Sequence, residues 1–127
     1  MILVLRTDKP EAEIGLFNTD GNQLVYEKWQ AHRELEATIF EKIHKTLEGY
    51  TLSDLTGLII YAGPGSFTGL RIGFAVINTL AHELKIPNVK SSGEAWVSKG
   101  MAKISDSQPQ ILVPDYGGEA NITKPKK

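Results

Sequence analysis

Cysteine is absent from this chain of 127 residues, which excludes both a disulfide framework and a thiolate zinc site. Charge of one sign is lacking as well. Fourteen Lys and Arg stand against 15 Asp and Glu, a formal net charge of −1, so no global basic field exists to hold a nucleic-acid backbone. Long apolar runs are missing. The opening MILVL is five residues and runs into Arg6, Asp8 and Lys9, which suits a strand and is too short for a signal peptide or a membrane span. The expectation is a soluble, cytoplasmic protein with no membrane partner. Histidine is scarce: His32, His44 and His82 are isolated, and the metalloprotease pattern H-E-x-x-H does not occur. What remains is ordinary. With 41% hydrophobic and 23% charged residues the chain is not disordered, and its length fits one domain.

The pattern along the chain changes period once. MILVLRT is a short buried strand, AEIGLFN (12–18) alternates in part, and TDGN (19–22) carries the Asp-Gly pair of a tight hairpin turn. QLVYEKWQA (23–31) then reads as a third strand, antiparallel to the second. From Arg33 to Glu48 the apolar residues Leu35, Ile39, Ile43 and Leu47 recur every four positions with Phe40 beside them, the mark of an amphipathic helix. GLIIYA (57–62) is a buried strand, a helix runs from about Thr68 to Leu84, and Pro87 closes it. NVKSS predicts a fifth strand, GEAWVSKGMAK a third helix and QILVP (110–114) a last edge strand. The order β-β-β-α-β-α-β-α with a mixed five-stranded sheet is α/β, the topology of a single ribonuclease H-like lobe and of each half of the actin-like kinases. Residues 1–114 are assigned to the lobe and 115–127 to a C-terminal tail.

Residues 63–73, GPGSFTGLRIG, put four glycines and a proline between a strand and a helix. Neither the P-loop pattern nor G-x-G-x-x-G fits: Pro64 stands where the first P-loop glycine belongs, and Thr68 where the third dinucleotide glycine belongs. Gly63 and Gly65 permit positive φ on either side of Pro64, and Ser66 or Thr68 can cap the helix. Two readings stay open: a helix N-terminus that holds an anion, or a tight connection with no ligand. Gly65, Gly69 and Gly73 recur every four residues. Glycines in a helix interior cost about 1 kcal/mol each relative to alanine, so a close backbone approach must offset them. The other faces carry Leu70, Phe74 and Ile77, so the helix is apolar nearly all round and calls for a cover, for which a second chain is the natural source.

GPGSFTGLRIG, with the apolar helix after it and HELKIPNVKSSGEAW beyond, resembles the TsaB family of tRNA threonylcarbamoyladenosine biosynthesis proteins, from Met1 to about Trp96. The resemblance implies an actin-like ATPase fold in a subunit that is itself non-catalytic. It implies a catalytic TsaD-like partner, with a TsaE-like ATPase and ATP used by the complex rather than bound by this chain alone. The complex modifies tRNA, which this chain touches only indirectly, and without its partner the chain is expected to pair with itself. The partner interface is expected at Leu35, Ile39, Phe40, Ile43, Gly69, Leu70, Gly73, Phe74 and Ile77. Two departures stand out: LRTD replaces the family's Asp-Thr-Ser, with Arg6 at the acidic position, and the chain looks like a minimal, one-lobe form.

Catalytic readings fail on the residues. A ribonuclease H-like nuclease needs acids at the ends of the first and fourth strands, where Arg6 and Tyr61-Ala62-Gly63 stand. Ser66 has no His nearby in sequence, and its loop is not G-x-S-x-G. No catalytic, cofactor-binding or metal residue is assigned. The alternative is an enzyme lobe that binds nucleotide at the glycine loop, residues Gly63, Pro64, Gly65, Ser66 and Thr68, and is active only within a complex.

Overall fold

The computed structural model describes residues 1–116. Strands β1 (Ile2–Arg6), β2 (Glu11–Phe17) and β3 (Gln23–Gln30) form an antiparallel meander. After helix α1 (Leu35–Thr46), strand β4 (Gly57–Tyr61) pairs parallel with β1. Helix α2 (Phe67–Leu84) leads to β5 (Asn88–Ser91), parallel to β4, and helix α3 (Trp96–Ile104) follows. The sheet order is β3-β2-β1-β4-β5. Architecture and order match the α/β lobe expected from the residue pattern.

Alternation along each strand decides which layer it feeds. Leu3, Leu5, Ile14, Leu16, Leu58 and Ile60 point to one face and are buried under Ile39 of α1 and Leu70, Phe74 and Ile77 of α2. Ile2, Val4, Phe17, Ile59 and Val89 point to the other face, where Trp96 of α3 covers them. The shift of α1 relative to the expected span is small. Residues His32–Glu34 form a 3-10 turn, and the chain leaves the helix at Leu47. His44 and Lys45 lie in its last turn, where positive charge complements the helix dipole.

The expected edge strand at 110–114 is absent: this segment makes no ladder with β5. The outward carbonyl of Asn88 is taken by the Gln110 side-chain amide (2.7 Å) and that of Lys90 by Lys103 (2.9 Å). The backbone of Gln110 and Leu112 bonds to the side chains of Asn88 and Asn78 instead. The assigned lobe boundary moves as well. Asp115 donates its N–H to Ala62 O (2.9 Å), and Tyr116 lies on Phe67 with ring centroids 4.6 Å apart, so both belong to the lobe. Ile122, Lys124, Lys126 and Lys127, read as a tail, lie outside the described residues.

Candidate functional site

The glycine loop is tied to the end of β1. Gly63 turns the chain at φ +109°, a conformation closed to most side chains. Of the two cap candidates, Ser66 and Thr68, it is Ser66 that caps α2, accepting from the Gly69 N–H (3.2 Å). The Ser66 N–H itself is given to the carbonyl of Asp8 (2.7 Å). A Cβ on Gly65 would fall inside contact distance of the Asp8 carbonyl, one on Gly69 inside that of the Thr7 carbonyl, and one on Gly73 inside that of the Thr7 hydroxyl. The side-chain-free stripe therefore serves a close backbone approach, but the backbone is this chain's own β1–β2 turn. Gly69 and Gly73 are corrected from partner interface to internal packing.

The same turn is held by charged and polar side chains at the ends of β1 and β2. Arg6 grips Asp8 with two hydrogen bonds, Nε to Oδ1 at 2.7 Å and Nη2 to Oδ2 at 3.2 Å, and lies 3.8 Å over the Tyr61 ring. Burial works against the Arg6 charge, but the bonded Asp8 carboxylate outweighs it and raises the guanidinium pKa further. Next to it, burial opposes ionisation of Glu13. The Tyr26 hydroxyl bond (2.5 Å) and the charges of Lys28 and Lys9 overcome that and hold the carboxyl below its ordinary range. Burial first, then the bond to Glu13, pushes the Tyr26 phenol well up. These residues satisfy one another. The Ser66 amide is taken by the Asp8 carbonyl, and the Arg6 charge is met by the Asp8 carboxylate. Among the described residues, no group of three or more His, Asp and Glu is placed to hold a metal ion.

The free surface lies on the outer side of the helix pair. Between α1 and α2 runs a hollow of about 630 Å³, lined by Glu36, Phe40, Thr68, Arg71, Ile72, Thr79, Leu80, Pro114 and Tyr116 among others. A second hollow of about 510 Å³ adjoins it, lined by Phe40, His44, Tyr50, Leu52 and Leu80. Phe40 stands between the two and is 64% exposed. With Tyr50 and Leu52, exposed beside it in the second hollow, it forms an apolar ridge of the kind that marks an interaction surface, and Phe67, also exposed, stacks on Tyr116 in the wall of the first. Arg71 lies over the Phe67 ring at 5.4 Å.

The expected interface residues thus divide. Leu35, Ile39, Ile43, Leu70, Phe74 and Ile77 are all buried in the chain's own core, because helices one layer deep on a sheet spend their four-residue stripe on that sheet. Gly69 is half-buried and Gly73 buried, and of the nine Phe40 alone is largely exposed. It follows Ile39 by one residue, about 100° round the helix, and so leaves the buried stripe. Phe67 and Tyr50 carry no signal in the residue pattern beyond that of an aromatic residue outside a periodic stripe, which says nothing about what surrounds it.

The family model described as TsaD: tRNA N6-adenosine threonylcarbamoyltransferase matches residues 28–122, more than half of the chain. A curated relative is the tRNA threonylcarbamoyladenosine biosynthesis protein TsaB of Bacillus subtilis (strain 168). It is 44% identical over 48 residues, which cover 37% of this chain and 21% of that protein. Among solved structures, YeaZ from Pseudomonas aeruginosa superposes with a TM-score of 0.67 at 27% identity, covering 74% of this chain and 44% of that one. A protein described as similar to peptidase YEAZ, from the same organism, gives a TM-score of 0.68 at the same identity and coverage. The matched part of the chain spans less than half the length of each of these relatives. The lobe is of the actin-like, ribonuclease H-like type.

Proposed function

Since the chain belongs to the TsaD family of tRNA N6-adenosine threonylcarbamoyltransferases and is TsaB-like within it, we propose that it is a non-catalytic partner of a TsaD-like catalytic subunit in forming N6-threonylcarbamoyladenosine in tRNA. The observation that carries the reading is the exposed ridge at Phe40 between two hollows on the α1–α2 pair. A helix pair of the partner laid across it would bury Phe40, Phe67 and Leu52 together, and apolar anchors in adjoining hollows are what make such surfaces bind. The contacts of the β1–β2 turn support the other half of the reading. With its own turn in the glycine loop and Arg6 on Asp8, this subunit leaves ATP to the rest of the assembly, a TsaE-like ATPase included, and meets tRNA only through its partner.

Co-purification with the TsaD-like protein of the same cell tests the reading, followed by calorimetry on the isolated pair. Binding by the unmodified chain and its loss in Phe40→Asp are expected. Micromolar, magnesium-dependent binding of ATP to the lone chain, with no partner binding, would replace the reading by that of a nucleotide-binding enzyme lobe.

A further inference from the structure

Residues 110–116 behave as a strand without a strand partner. Ile111 is 78% and Val113 61% exposed, while Leu112 between them is buried in the core, the alternation of a strand on a sheet. Its backbone, however, is paired by two asparagine side chains. Asn88, fully buried, donates from Nδ2 to Gln110 O (2.9 Å) and accepts from Gln110 N at Oδ1 (2.9 Å). Asn78, on α2, does the same for Leu112: Nδ2 to its carbonyl at 3.0 Å and its N–H to Oδ1 at 2.9 Å. The two amides are themselves joined, Asn88 Nδ2 to Asn78 Oδ1 at 3.2 Å. Each amide thus offers the donor and acceptor that a neighbouring strand would have offered.

What the pairing delivers lies downstream. Lys90 takes Val113 O (2.7 Å) and Asp115 Oδ1 (2.9 Å), and Asp115 N–H goes to Ala62 O (2.9 Å). The chain is then fixed so that Pro114 and Tyr116 stand in the wall of the larger hollow, Tyr116 against Phe67. We propose that Asn78 and Asn88 are positioning residues: by pairing the backbone of 110–112 they set Pro114 and Tyr116 as one wall of the docking groove, and so set its fit for a partner. The inference rests on the docking reading above. An amide pair suits the task because it is directional, and Asn88 is fully buried while Asn78 is half-buried. A shift of one residue along the strap would leave four hydrogen-bonding groups unpaired, so the register of Tyr116 is fixed.

The test has two arms. In the lone chain, stacking on Phe67 should displace the Tyr116 ring-proton resonances. Asn78→Leu should return them to the positions of an unpacked tyrosine while circular dichroism is retained. Asn78→Ser, which removes the same bonds without adding an apolar group, serves should the leucine variant not fold. Unmoved Tyr116 resonances in a folded variant would overturn the proposal. In the second arm, affinity for the TsaD-like subunit is measured for Asn78→Leu, Tyr116→Ala and the double variant. Each single change should weaken binding about tenfold, and the double no more than the stronger single, since both remove one wall. Multiplied losses would mean that Asn78 acts independently of Tyr116, against the proposal. If the unmodified chain does not bind that subunit, the docking reading falls and with it the wall's purpose. The resonance arm still decides whether the amides place Tyr116.

Discussion

A methyl group at Gly73 would enter space held by the Thr7 hydroxyl, and better helix propensity cannot offset that. Overpacking a fitted interior costs about 1–3 kcal/mol, while the gain from replacing a helix glycine is about 1 kcal/mol. Gly73→Ala should therefore lower stability in urea unfolding, and Thr7→Ala in the same chain should recover part of the loss by vacating the space. A neutral Gly73→Ala that lost only partner binding would mean that the stripe faces another molecule after all. Thr7 adds a second expectation. Its hydroxyl is buried without a hydrogen-bond partner among the described residues, a condition that costs about 1–3 kcal/mol. Thr7→Val keeps the shape and removes the unpaired group, so its Tm should equal or exceed that of the parent. The glycine spacing was legible in the sequence as a demand for close approach. Which backbone answers it was not, because Thr7 and Gly73 are 66 residues apart in the chain and only the β1–β4 pairing brings them together.

The β2–β3 hairpin carries its own pH dependence. Arg6, Glu13 and Lys28 follow one another across β1, β2 and β3 on the α3 face, with Tyr26 reaching over to the Glu13 carboxylate. The Glu13 carboxyl is held below its ordinary 4.5, so its contribution is present above that pH and is lost as pH falls through the lower folded value. The Tyr26 phenol is raised above its ordinary 10.0, so its contribution is present below that pH and fades as pH rises through the higher folded value. Unfolding measured from pH 3 to 11 should show both limbs. Tyr26→Phe should cost about 1.5–3 kcal/mol at neutral pH, the range for a hydrogen bond to a charged group, and should remove the alkaline limb. An alkaline limb unchanged in Tyr26→Phe would assign it to another group. On α1 the expected outcome differs in kind. Phe40→Asp replaces an exposed ring, so thermal unfolding should stay within about 0.5 kcal/mol of the parent while partner binding is lost. The helices and the hairpin were readable because their periods are local. Strand 110–114 was misread for the same reason: QILVP has a strand's alternation, and nothing within five residues reveals that Asn78 and Asn88 supply its hydrogen bonds.

For the molecule as a whole, Phe40 is the most exposed large apolar side chain of the helix pair among the described residues, and the proposed docking surface rests on it. Static light scattering of the isolated chain should show concentration-dependent self-association that Phe40→Asp abolishes, because an apolar ridge left without its partner pairs with itself. A monomer at all concentrations, with no binding to the TsaD-like subunit, would remove the ridge from the account. Among the described residues no helix is long and apolar enough to cross a membrane. The sequence by itself determined the element order, the apolar stripes of α1 and α2 and the family, since each depends on neighbours along the chain or on a contiguous motif. It could not separate an apolar helix face that needs a second molecule from one that its own sheet already covers. That distinction was made by the tertiary structure. Strand alternation sends Leu3, Leu5, Leu58 and Ile60 up under Leu70, Phe74 and Ile77, and the β1–β2 turn fills the glycine stripe. What remains exposed is the part of each helix that points away from the sheet, and Phe40 stands there because it lies one residue, about 100°, past the buried stripe.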